Sequence, residues 1–257
     1  MSALMGRVSR AFLFPAVLGL VTLSLASASA ADPAAPAPVA AAEQQPQQGT
    51  RFPVGFYVGD EQQPTTSHVA KLGSDITFPQ GRFDAVLLGL SGRVPLTGTL
   101  SVPATASYFV SFRFMPATGT VELIQDGEAT GTTQILGSKD CTSVGTSLCA
   151  DSDVTTKVFI KLSNVKVDGR VLDVGPNCRT ARPAAVTIKA LLPLQPTNPP
   201  PVKATATFTT PGFAGCGVRE NLDPLLTGLV AGPGNTLVTN LKLRCVGSGG
   251  PPNGCGS

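Results

Sequence analysis

The 257-residue chain has no tryptophan, two tyrosines (Tyr57 and Tyr108) and a single histidine, His68. With so few flat, hydrogen-bonding rings there is little on which to stack a sugar or another planar ligand. One imidazole cannot complete a zinc site when the cysteines nowhere form a Cys-x-x-Cys pair. Charge is scarce too, at 14% of residues, and no run of lysine or arginine occurs. A nucleic-acid interface needs a basic face with interleaved aromatics, and an anionic membrane surface holds a polybasic stretch. Both partners are therefore set aside.

Familiar catalytic patterns are missing as well. No Gly-x-Ser-x-Gly elbow occurs, and Gly232-Pro233-Gly234 is followed by no Gly-Lys-Ser/Thr phosphate signature. His68 lies beside Ser67 in a polar, loop-like stretch and has neither an activated nucleophile nor an orienting acid, so it reads as a surface residue. Glu122 with Asp126 or Glu128 is the nearest approach to a glycosidase pair, but the three fall at a strand end and turn where acids are ordinarily solvated. Asp140, Asp151 and Asp153 flank a short cysteine loop at a spacing that matches no EF-hand. No catalytic, metal-binding or cofactor-binding residue is assigned, and no cofactor is implied.

What the chain does contain begins with an address. Arg7 and Arg10 precede an uncharged apolar run over 11–25, and Ala28-Ser29-Ala30 supplies a small-x-small cleavage site. This is the layout of a secretory signal peptide over 1–30, and the run is too short for a membrane-spanning helix. Removing it takes two arginines and no acid, which lowers the net charge from +3 to about +1. The two arginines are not adjacent and no cysteine follows the cleavage site, which disfavours twin-arginine export and a lipid anchor. Residues 31–50, rich in Ala, Pro and Gln, read as a disordered tether.

From residue 51 the texture changes. Glycine and proline together make about a fifth of the chain and disfavour long helices, yet hydrophobic content is high enough for a core. Short apolar or alternating runs predict strands at 52–58, 83–88, 94–102, 107–115, 118–124 and 129–135. Others fall at 154–167, 171–174, 185–191, 202–209 and 236–244. Asp168-Gly169 between apolar runs predicts a two-residue hairpin. Residues 220–230 carry leucines at helical spacing, with Asp223 as N-cap before Pro224 and Gly232-Pro233-Gly234 as the stop. The expectation is all-β: a single β-sandwich, or sandwich-like barrel, of short antiparallel strands over 51–246 with one short helix. A Gly/Pro-rich tail closed by a disulfide follows at 247–257.

Six cysteines in an exported chain argue for disulfides. Residues equidistant from a hairpin turn lie opposite each other. Cys178 and Cys216 are symmetric about Thr197, Cys141 and Cys149 about Gly145, and Cys245 and Cys255 about Gly250. Of the 15 possible pairings, Cys141–Cys149, Cys178–Cys216 and Cys245–Cys255 satisfy all three turns at once.

Four elements carry a resemblance. The strand and hairpin IKLSNVKVDG (160–169), the return VGPNCRT with Cys178, the FAGCG turn with Cys216 and the segment LDPLLTGLVAGPGN (222–235) resemble stretches of exported, β-rich secreted proteins of actinobacteria, of unknown function. The elements fall within 158–180 and 206–236, and the resemblance is taken to extend over about half of the chain beyond residue 30. The resemblance implies export and a β fold, and no catalytic residues. The resulting expectation is a secreted or cell-wall-associated, non-enzymatic β domain, acting as a structural or binding module in or near the cell envelope. Its partner would be an unidentified envelope or extracellular molecule, with no nucleic acid and no integral membrane segment. The alternatives are a secreted hydrolase with an unrecognised carboxylate site, and an envelope pore or apolar-ligand carrier.

Overall fold

Alternation of inward and outward side chains organises the strands of the described residues. The computed structural model describes residues 50–111, 114–195, 199–247 and 255. The expected signal segment, all of the tether but Thr50, and most of the 247–257 tail lie outside the described residues. Fifteen strands follow: β1 (Arg51–Val58), β2 (Thr65–Val69), β3 (Ser74–Phe78), β4 (Gly81–Leu88), β5 (Arg93–Ser101), β6 (Thr105–Ser111), β7 (Met115–Gln125) and β8 (Ala129–Gly137). The second half holds β9 (Leu148–Val167), β10 (Arg170–Val171), β11 (Arg179–Thr180), β12 (Ala184–Pro193), β13 (Val202–Thr210), β14 (Phe213–Ala214) and β15 (Gly232–Val246). One α-helix, α1 (Asp223–Val230), separates the last two strands.

All ladders are antiparallel and join into one sheet, folded on itself and not closed as a barrel. Two strands are much longer than expected and act as spines: β9 has 20 residues and β15 has 15. Each takes successive partners along one edge. β7 pairs with Val158–Val167 of β9 and β8 continues along Leu148–Thr155, so that β7 and β8 form one interrupted run. β12 lies on the opposite edge. On β15, β1 and then β2 share one edge while β13 takes the other. The path β9–β8–β5–β4–β1–β15 connects the spines. Bulges supply the bend: register shifts occur at Gly55/Phe56, Thr118/Thr120 and Phe208/Thr210.

The folded sheet encloses two apolar clusters. One gathers Val54, Phe56, Leu87, Leu96, Leu192 and Leu243. The other gathers Phe78, Val121, Leu162, Phe213, Leu226 and the Cys178–Cys216 disulfide.

Several expectations need correction. β2 and β3 lie outside the expected strands: β2 falls on the stretch read as polar and loop-like, because its inward residues include Thr65 and Ser67 and leave no apolar alternation to detect, and β3 has only Ile76 and Phe78 as inward apolar residues. Thr65 is satisfied by a 2.6 Å hydroxyl–hydroxyl bond to Thr239. The expected strand 107–115 is broken by a turn closed by Phe114 N–H to the Ser111 carbonyl, and that at 171–174 shrinks to Arg170–Val171. Asp223 does not cap α1; Leu222 holds the N-cap position without a side-chain bond, and the Asp223 carboxylate accepts from Cys216 N–H at 2.7 Å. Gly232-Pro233-Gly234 opens β15 instead of merely ending the helix.

The cysteines pair as Cys141–Cys149, Cys178–Cys216 and Cys245–Cys255. The hairpin invoked for the middle pair is a different one: among the described residues no ladder joins β12 to β13. The short strands β11 and β14 pair instead, Arg179 opposite Ala214 and Thr180 opposite Phe213, and this ladder has nearly the same centre of symmetry.

At the β9–β10 turn, Asp168 and Gly169 both have positive φ, 50° and 73°, as a two-residue type I′ turn demands. A Cβ on residue 169 would meet nothing within 4 Å, so substitution there reads backbone strain alone. Gly169→Val should cost about 1–2 kcal/mol and Gly169→Asn clearly less, because asparagine tolerates the left-handed region. Urea unfolding midpoints check the order; two variants that unfold with the parent would remove the turn from the account.

Candidate apolar binding site

β9 builds the site. From Ala150 through Ser152, Val154, Thr156, Val158 and Ile160 to Leu162, every second residue lines an internal cavity, as the two-residue period of a strand requires. Asn164, with φ of 52°, then inserts a bulge that resets the phase. Val165 and Val167 continue the wall. Inward residues of most other strands, though not of β10 or β11, and of α1 complete it.

The cavity measures about 360 Å³, inside the range of small-molecule sites, roughly 300–1,000 Å³. It runs past both apolar clusters, since Leu87, Leu96 and Leu192 line it as well as Phe78, Val121 and Leu162. No Asp, Glu, Lys, Arg or His side chain is among its described lining residues. The polar groups on the wall are hydroxyls. Thr133 and Ser152 bond each other at 2.8 Å, and Thr65 bonds Thr239. The Thr156 hydroxyl is buried with no partner among the described residues.

Such a wall cannot move protons and does not stabilise a buried charge, which would need a paired partner. It suits an uncharged, largely apolar molecule. Cavity scaling of about 24 cal/mol per Å³ makes filling this volume worth on the order of 9 kcal/mol, similar to the whole net stability of a domain.

α1 marks one end. Leu225, Leu226, Leu229 and Val230 face the cavity. Leu225 and Leu229, with Leu72, also line an outer groove completed by Lys71, Val110 and Phe114. Leu225 is 40% exposed and Phe114 76% exposed, so this apolar rim reaches solvent. The helix is held mainly at its root. Phe213 N–H donates to Thr227 Oγ1 at 2.9 Å, Leu222 N–H donates to the Cys216 carbonyl at 3.0 Å, and Leu162 N–H on β9 reaches the Cys178 carbonyl. Near its other end Lys71 Nζ donates to the Gly228 carbonyl at 3.2 Å.

The residues weighed from sequence lie outside this cavity, with one exception. His68 points outward on β2 and pairs with Asp75 across the ladder, Nδ1 to Oδ1 at 2.7 Å. Ser67 faces the interior and lines the cavity, so the strand itself separates the two. Glu122 pairs with Lys161 at 3.2 Å, while Asp126 and Glu128 are exposed in the β7–β8 turn. Asp151 and Asp153 share the outer face of β9, where Asp151 pairs with Arg93 and Asp153 with Lys189. Asp140 is exposed in the loop before Cys141. Among the described residues no three His, Cys, Asp or Glu side chains gather to hold a metal.

Sequence reasoning missed the cavity wall, although its signal was there. The alternation of apolar and hydroxyl residues against Asp, Thr and Lys from 150 to 158 reads as a strand with one dry face. What the sequence hid was that the facing strands stand far enough apart to leave space. Comparison with protein-family models, characterised proteins and solved structures finds no match for this chain.

Proposed function

We propose that this chain is an exported, non-enzymatic binding module whose ligand is an uncharged, apolar molecule held inside the folded sheet. The observation that carries the reading is the continuous internal cavity, walled by apolar side chains and hydroxyls. Among the earlier alternatives this favours the apolar-ligand carrier. An aqueous pore has a polar lumen, opposite in character to this interior. Three disulfides are compatible with an oxidising, extracellular location. No helix among the described residues is long and apolar enough to cross a membrane. The resemblance to exported actinobacterial proteins belongs to the same proposal, with an envelope lipid as the natural class of cargo.

A ligand that binds only the folded state stabilises it by about 2.7 kcal/mol at a hundred times its Kd. For a domain of this size that raises Tm by roughly 5–10 °C. Thermal unfolding with and without a neutral long-chain compound such as 1-hexadecanol should show a rise of that order. The reading fails if a panel of neutral alkyl compounds of graded length leaves Tm unchanged.

A further inference from the structure

Two free edges of the sheet meet beside α1. Among the described residues β3 pairs only with β2, and β6 only with β7, yet β3 and β6 lie side by side. Side chains bridge them where a ladder would run: Thr105 Oγ1 donates to the Thr77 carbonyl at 2.9 Å, and Val110 N–H donates to Ser74 Oγ at 3.5 Å. The outer groove lies where β3 begins and β6 ends. Leu72, Leu225 and Leu229 line both this groove and the internal cavity, so one layer of side chains parts the two. Phe114 and Leu225 make the outer side of that layer apolar and exposed. The cover itself is lightly packed. Leu226 alone is buried among the residues of α1, and segments with few buried contacts are the first to open. Across the gap between α1 and the β2–β3 turn runs the exposed bond from Lys71 Nζ to the Gly228 carbonyl.

We propose that the apolar ligand enters and leaves here, between α1 and the turn joining β2 to β3. Leu72, Leu225 and Leu229 swing aside, and the Lys71–Gly228 bond is the tie that opens. Lys71 is the single charged side chain among the groove's described lining residues, so an uncharged molecule trades water for apolar contacts along the route. This inference rests on the carrier reading and adds the way into the same site.

The test uses the whole chain and the rates at which diphenylhexatriene, an uncharged rod-shaped dye that emits when it leaves water, binds and departs in stopped flow. Lys71 and Gly228 line the groove and not the cavity, so changes there act on the route and leave the bound state alone. A Cβ on residue 228 would meet nothing within 4 Å, so Gly228→Trp fills the groove from outside. Replacing a helical glycine should also keep Tm at or above the parent's. Binding and release should both slow about tenfold, as a raised barrier requires, with Kd within about twofold of the parent's. Lys71→Met removes the tie and should speed both rates about threefold, the worth of one exposed hydrogen bond; it decides alone should the tryptophan variant fail to fold. Gly137→Trp, at the end of β8 and equally free of neighbours, should change neither rate. Parental rates in Gly228→Trp, or equal slowing by Gly137→Trp, would overturn the portal and send entry elsewhere, as to the unjoined edges of β12 and β13. A weakened Kd with the binding rate unchanged overturns it too, because the groove would then belong to the bound state. Failure of the dye to bind the parent overturns the carrier reading itself.

Discussion

Replacing Cys178 and Cys216 together with alanine should lower stability by about 4 kcal/mol, the chain entropy released by a closed loop of this length. The two residues are 38 apart in sequence, against 8 for Cys141–Cys149 and 10 for Cys245–Cys255. Each short loop should return about 2.5 kcal/mol on the same argument. Position adds to length. Cys178 adjoins β9 through its carbonyl bond to Leu162 N–H, and Cys216 holds the root of α1 through Asp223 and Leu222. Breaking this bridge therefore loosens both the second apolar cluster and the helix that closes one end of the cavity. Urea unfolding of the three double-alanine variants decides the order. A larger loss from either short loop would contradict the role given to the central bridge.

The second large effect concerns Ala85 and Ala150, which are small, buried and on the cavity wall. In a close-packed core, enlarging them forces strain and costs about 1–3 kcal/mol. Where open apolar space faces them, the added methylenes are buried without strain. Ala85→Leu/Ala150→Leu should then gain roughly 1–2 kcal/mol per site while reducing ligand affinity at least tenfold. Gain of stability with loss of binding is a signature that a simple packing defect would not produce. A variant that is destabilised yet still binds would place the ligand elsewhere.

Much of this fold was legible in the residues. Strands whose two faces differ, such as β13 with alternating Ala, Thr and Lys, declare themselves by period. The Asp168-Gly169 turn did so because its backbone demands left-handed residues. Strand β2 did not, since Thr65 and Ser67 occupy inward positions there and mimic a loop, and β3 is too short, with only Ile76 and Phe78 as inward apolar residues, to show a period. The helix was visible from its leucines, but its capping was not, because the Asp223 carboxylate is taken by Cys216 N–H. Cysteine symmetry led to the observed bridge through a β12–β13 hairpin that the described residues do not form; the β11–β14 ladder has nearly the same centre. The site was the least legible part. Alternation identifies which face of β9 turns inward, whereas the distance to the opposite wall depends on bulges and long spines that no local pattern encodes.

The central claim, that the folded sheet holds one uncharged apolar molecule inside, is tested most directly by equilibrium titration with diphenylhexatriene. Parent protein should give saturable emission at one dye per chain. Ala85→Leu/Ala150→Leu, folded and at least as stable, should give little emission over the same range. Emission that never saturates, or that is equal in parent and filled variant, would contradict the claim.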